Sequence, residues 1–140
     1  VDPQAIDDAL CSFLLDLPQY KLDMLLDLRR QGYRVFMLSN TNPIMMRFMM
    51  EHRFKQQGLT IDAYFDRLFL SYRMKLVKPY PEIYRKMIDE SGILPAESLF
   101  IDDSEANIRT AASLGFNTYL AAQHEDFRNL FSQYEPFTEK

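Results

Sequence analysis

Leu99-Phe100-Ile101-Asp102-Asp103-Ser104 is the stretch on which the fold of this chain turns. Three apolar residues of strand type run straight into two adjacent carboxylates and a hydroxyl. Adjacent carboxylates repel each other, so the pair calls for a counter-charge, either a divalent cation or an ammonium. A short apolar run that ends abruptly in acids fits a parallel strand covered on both faces, with its polar groups emerging at the carboxyl end. Asp103 and Ser104 are also good caps for a helix starting just after them.

Downstream, Ile108, Ala111, Ala112 and Leu114 recur at helical spacing. The alanines would let that helix approach a sheet closely, and Gly115 stops it. Asn117-Thr-Tyr-Leu-Ala121 reads as a final strand, and an amphipathic helix is expected around 125–134. Upstream, a helix opens at Pro81 with Ile83, Tyr84, Met87 and Ile88 inward and ends at Ser91-Gly92. Before it lies a basic loop, Arg73 to Tyr80, holding Lys75 and Lys78-Pro79. Proline after Lys78 biases that lysine towards extended backbone.

The same alternation continues towards the N-terminus. Arg67–Tyr72 is expected as a strand, with a short helical turn over Asp62–Phe65 before it. A methionine-rich helix covers about 43–56 and uses Ile44, Met45, Phe48, Met49 and Phe54 mainly to fill a core. Tyr33–Leu38 is an apolar strand that ends in the polar loop Ser39-Asn40-Thr41-Asn42. A helix over 19–30 precedes it, with Arg29 and Arg30 at the end favoured by the helix dipole. Pro18 separates that helix from another over 4–16, whose apolar face includes Cys11 as core filler. Strands alternating with helices predict an α/β fold, a parallel sheet between two helical layers.

In such a sheet ligands bind beyond the carboxyl ends of the strands. Ser39, the loop of Lys78, and Asp102 with Asp103 each follow a strand, which predicts that they share one rim. A hydroxyl donor, an ammonium and two acids form an oxygen-rich site suited to a phosphate and a Mg²⁺ ion. Each alone is ordinary: loop lysines are usually solvated, as Lys75 and Arg73 are expected to be, and polar residues commonly follow strands.

Composition narrows the classes. The chain has 140 residues, 47% hydrophobic and 14% aromatic, enough for one well-packed domain. A net charge of −4 argues against a general nucleic-acid binder. One cysteine permits no internal disulfide, and with His52 and His124 it cannot close a zinc site. No apolar run is long enough for a membrane span and no signal peptide opens the chain, so a cytoplasmic protein is expected.

The ordered set Ser39-Asn40-Thr41, then Lys78-Pro79-Tyr80-Pro81-Glu82-Ile83-Tyr84, then Leu99-Phe-Ile-Asp102-Asp103-Ser104-Glu-Ala-Asn107 and Ala112-Ser-Leu-Gly115-Phe resembles the haloacid dehalogenase (HAD)-like hydrolase superfamily. The likeness runs over about residues 18–121 and is nearest to phosphatases with a helical cap. It implies a three-layer, Rossmann-like fold and a small phosphorylated metabolite as substrate. By the resemblance Ser39 binds phosphate with Asn40 beside it, Lys78 is the third-motif lysine, and Asp103 is a Mg²⁺ ligand. Asp102 would orient Lys78 or a metal-bound water. Asn107 stands where many members carry a second acid, and Tyr80, where Asp is common, is given no role.

One motif is missing. The family's first motif is an Asp-x-Asp after the first strand, supplying the nucleophile and the acid/base. No two aspartates here are so spaced. The resemblance therefore implies that this motif, its central strand and most of the cap lie outside the chain. Residues 1–17 would be a cap remnant and 18–140 a core with its central place unfilled. Such a sheet would associate with the missing segment or with another copy, and the chain alone would be inactive. Two other functions compete: a 2-haloacid dehalogenase, which needs no metal-binding acid pair, and a non-catalytic binding or regulatory domain. Response-regulator receivers use similar groups, but there the acidic pair comes first in the chain.

Overall fold

In the computed structural model, which describes residues 17–123 and 125–133, helix α1 (Gln19–Arg30) begins directly after Pro18. The helix expected over 4–16, Cys11 and His124 lie outside the described residues, as does the expected cap remnant but for Leu17. Leu22 is fully buried on α1, with Leu25 and Leu26 packed beside it. Arg29 closes the helix and reaches across to the next elements. Its guanidinium donates to the carbonyls of Asp62 and Ala63, both at 2.9 Å, and to Asp66 Oδ1 at 3.0 Å. The other Asp66 oxygen accepts the Val35 N–H at 2.6 Å. One carboxylate thus fixes both the end of α1 and the entry to the following strand.

That strand, β1 (Phe36–Ser39), pairs in parallel with β2 (Arg67–Leu70), with Phe36 opposite Arg67 and Ser39 opposite Leu70. Between them lies α2 (Pro43–Phe48), whose first turn is capped by Asn42 Oδ1 accepting the Met45 N–H at 2.9 Å. The helix expected to run to about 56 instead widens into a π-turn over Met49–Arg53, with the Phe54 N–H bonded to the Met49 carbonyl. A π-turn adds a residue to the helical repeat and so rotates the residues beyond it. Phe54 is thereby carried into the core, 5.9 Å from the Tyr64 ring and edge-on to Phe65 at 5.6 Å. The helical turn expected at 62–65 is a 3₁₀ turn over Ile61–Ala63.

The strand expected over 67–72 ends at Leu70, and Ser71 opens a single helical turn, α3 (Ser71–Met74). The pairing explains the difference. The ladder stops where Ser39 meets Leu70, and the Ser71 hydroxyl turns to the backbone of Thr41 instead.

Among the described residues, those up to Tyr72 belong to one compact unit and those from Arg73 to Gln133 to a second. In the second, α4 (Pro81–Ser91) stops at Gly92, whose φ of 71° is left-handed and suits glycine. Strand β3 (Leu99–Asp102) pairs in parallel with β4 (Asn117–Leu120), Leu99 opposite Asn117 and Asp102 opposite Leu120. Helix α5 (Glu105–Ser113) connects them, with Ala111 fully buried. Phe100 is flanked by the rings of Tyr84 at 5.5 Å and Phe116 at 6.3 Å. The amphipathic α-helix expected around 125–134 is a 3₁₀ segment over Arg128–Gln133. Asp126 Oδ1 accepts the Arg128 N–H, a local bond that competes with an α-helical start. The four strands among the described residues thus form two parallel pairs rather than one continuous ladder.

Candidate functional site

The end of β3 places Asp102 where the ladder runs out. Its carbonyl still accepts the Ala121 N–H at 2.9 Å, so the backbone is held while the side chain turns away from the strand. Asp102 Oδ1 accepts the Ser104 N–H at 2.9 Å. Oδ2 accepts both the Lys78 ammonium at 2.7 Å and the Asn107 side-chain amide at 3.2 Å. Ser104 is the N-cap of α5, its hydroxyl accepting the Asn107 N–H at 3.4 Å.

Lys78 and Asp102 are almost covered, at 10% and 8% side-chain exposure. Burial alone would push the Asp102 carboxyl up. The hydrogen bond and charge of Lys78, helped by Ser104 and Asn107, outweigh it and hold Asp102 below the ordinary carboxylate range. The Lys78 ammonium also lies 5.8 Å from the centre of the Phe100 ring. Behind the pair, the buried Tyr84 hydroxyl donates to the Asn107 carbonyl at 3.1 Å. Burial, and then the negative charge of Asp102, push Tyr84 up to about 12.

Asp103 differs from its neighbour in every respect. Its side chain is exposed and makes no hydrogen bond or ion pair among the described residues. The two carboxylates are therefore separated in role by their surroundings: one is neutralised within the protein, the other is presented to solvent. Among the described residues no three His, Cys, Asp or Glu side chains gather as a metal site. Asp103 alone suits a cation that takes one or two carboxylates and completes its shell with water and substrate oxygens.

Ser39 and Asn40 follow β1 in the first unit, Ser39 half-buried and Asn40 exposed. The loop they start is fixed further on. Thr41 N–H donates to Ser71 Oγ at 2.9 Å, and that hydroxyl donates back to the Thr41 carbonyl at 3.1 Å. Of the residues singled out in the sequence, Lys78 and Asp102 meet directly, with Asn107 joined to them. Asp103 follows Asp102 in the chain, while Ser39 ends β1 in the first unit and Asn40 follows it. Arg73, Lys75 and Tyr80 are exposed. Sequence reasoning missed Tyr84 and Thr110. The signal for Tyr84 was its place on the inward face of α4. Thr110, whose hydroxyl donates to the Pro79 carbonyl at 2.6 Å, gave none.

The model of the haloacid dehalogenase-like hydrolases matches residues 7–115. The chain belongs to that family. D-ribitol-5-phosphate phosphatase of Bacteroides thetaiotaomicron is 40% identical over 116 residues, which are 83% of this chain and 56% of that protein. (S)-2-haloacid dehalogenase 4A of Burkholderia cepacia is 29% identical over 84% of this chain and 49% of its own length. A HAD family enzyme of Bacteroides thetaiotaomicron, solved with magnesium and inorganic phosphate, superposes with a TM-score of 0.90 at 44% identity. That match covers 94% of this chain and 66% of the solved one. The chain spans about half the length of the curated relatives it matches. The HAD fold is the Rossmann-like α/β architecture, as the alternation of strands and helices predicts.

Proposed function

We propose that this chain carries the phosphate- and metal-handling part of a Mg²⁺-dependent HAD phosphatase acting on small phosphomonoesters. The observation that supports this most is the contrast at the end of β3: Asp102 is buried and paired with Lys78 at 2.7 Å, while Asp103 is exposed and unbonded among the described residues. Asp103 is the residue that would hold Mg²⁺, and its free oxygens suit that hard cation. Bound there, the ion would offset charge on the phosphoryl oxygens.

The chain's own groups have separate tasks. Asp102 holds the Lys78 ammonium in one place, so that Lys78 can face a phosphoryl oxygen without first being ordered. Ser39, with Asn40 beside it, is the residue whose hydroxyl would donate to a phosphoryl oxygen. With no Asp-x-Asp in the sequence, the attacking carboxylate that would form an aspartyl-phosphate comes from a segment outside this chain. Among phosphomonoesters, similarity to a D-ribitol-5-phosphate phosphatase favours a phosphorylated polyol.

The test is hydrolysis of an aryl phosphate and of polyol phosphates by the protein carrying its upstream coding sequence. Phosphate release that is abolished by a chelator and restored by Mg²⁺ is expected, with no turnover by the 140-residue chain alone. Metal-independent release of halide from a 2-haloacid, or full activity in Asp103→Asn, would overturn the proposal.

A further inference from the structure

Helix α5 touches Asp102 of the buried pair and the loop that carries Lys78, and it does so from residues three apart on one face. Asn107 Nδ2 donates to Asp102 Oδ2 at 3.2 Å. Thr110 Oγ1 donates to the carbonyl of Pro79, the residue that follows Lys78, at 2.6 Å. The Tyr84 hydroxyl, on α4, donates to the Asn107 carbonyl at 3.1 Å and fixes the turn from which Asn107 projects. Residues at i and i+3 lie on the same side of a helix, so one rigid element reaches the carboxylate and the lysine loop together.

We propose that Thr110 and Asn107 are the positioning residues of the Lys78–Asp102 pair, with α5 acting as a two-pronged clamp that sets where the ammonium stands. What the clamped ammonium acts on rests on the phosphatase reading above; the clamp itself rests on these contacts.

The Thr110 hydroxyl has a second acceptor within reach, the Ala106 carbonyl one turn back at 3.3 Å. It carries one proton and donates to one carbonyl at a time. At 2.6 Å the Pro79 carbonyl is the better placed, so the hydroxyl is committed to a bond across elements rather than to the usual bond back to its own helix. The pair needs such help. Lysine has a long, rotatable stem, and a loop has few contacts of its own to hold one in place. Because α5 is packed on β3 and carries the fully buried Ala111, it offers a fixed reference that the loop lacks.

The test uses the chain itself and reads the lysine directly. Lysines are acetylated with a limiting reagent at one fixed pH and quantified by peptide mass spectrometry, with the exposed Lys75 and Lys86 as internal references. In the parent, Lys78 is protected relative to both. Thr110→Val removes the hydroxyl at constant shape, and the Lys78 rate relative to the references should rise about 3- to 10-fold, as expected for one lost hydrogen bond. Thr110→Ser keeps the hydroxyl and should restore protection. Asn107→Leu, which removes the second prong, should raise the Lys78 rate in the same sense. An unchanged Lys78 rate in both Thr110→Val and Asn107→Leu would overturn the proposal. So would a parallel rise at all three lysines, which reports general loosening, or a failure of Thr110→Ser to restore. None of these outcomes depends on turnover, so a clamp without phosphatase activity and a phosphatase without a clamp are told apart.

Discussion

Lys78→Met leaves the Asp102 carboxylate in a place that is 8% exposed, with hydrogen bonds from Ser104 and Asn107 but no opposing charge from lysine. Methionine keeps most of the apolar stem, so the change isolates the ammonium. Removing one partner of a buried pair costs about 3–5 kcal/mol, because the other charge stays behind uncompensated. The carboxyl has an alternative, which is to take up a proton. From its ordinary value of 3.8, protonation at about pH 7 costs about 4 kcal/mol, which caps the penalty. The expected loss is therefore about 3–4 kcal/mol near neutral pH. Near pH 4 the proton is almost free, and the loss should shrink to about 1 kcal/mol. Adding Asp102→Asn to Lys78→Met replaces the stranded anion by a neutral amide and should recover most of the neutral-pH loss. Urea unfolding of the four members of this cycle, followed by far-ultraviolet circular dichroism at both pH values, measures each figure. A Lys78→Met loss below about 1 kcal/mol at neutral pH, the size of an exposed pair, would refute the account of a buried ion pair. So would a loss that does not change with pH.

The parent should show the same linkage. Asp102 is held below 3.8, so its contribution is present above that value and is lost as pH falls through the lower folded one; Asp102→Asn should flatten the acid limb of a stability–pH curve. At the other extreme Tyr84 is pushed up to about 12, so stability should fall as pH rises above 10 towards that value, and Tyr84→Phe should remove this slope at a cost of about 1 kcal/mol near neutrality. Asp103→Asn should leave unfolding unchanged within about 0.5 kcal/mol, since the side chain is exposed and unbonded among the described residues, and, if Asp103 holds Mg²⁺ as proposed, added Mg²⁺ should raise the melting temperature less than in the parent. Phe54→Ala should cost about 3–5 kcal/mol by emptying the space that the π-turn fills, measured by the same urea unfolding.

The polar ends of the strands were readable because chemistry and position coincide there. Asp102 follows three apolar residues without a turn signal between them, and a parallel strand leaves such a residue at the rim. Lys78 could be matched to it because a second carboxylate next door made a counter-charge necessary. What could not be read was the division of labour between the two acids. Asp102 and Asp103 are the same residue type side by side, and only the fold decides that one is covered and bonded while the other faces water. The helix ends were misplaced for a related reason. Nothing local distinguishes Met49 from Met45 as the start of a π-turn; the demand comes from Phe54, which must enter a core assembled from distant residues. Ser71 looked like the continuation of a strand because its neighbours are apolar. Its hydroxyl instead follows the backbone of Thr41, thirty residues away in the chain.

That Ser71–Thr41 link has a mechanical consequence. A parallel ladder only four residues long has little to stop it slipping, and a slip of one residue would displace Ser39 by about 3.3 Å and point it to the opposite face. Two bonds from one hydroxyl, placed just past the last rung, work as a doorstop: the strands cannot slide without tearing both. The register that sets the Ser39 side chain is therefore guarded by a hydroxyl lying outside the ladder itself.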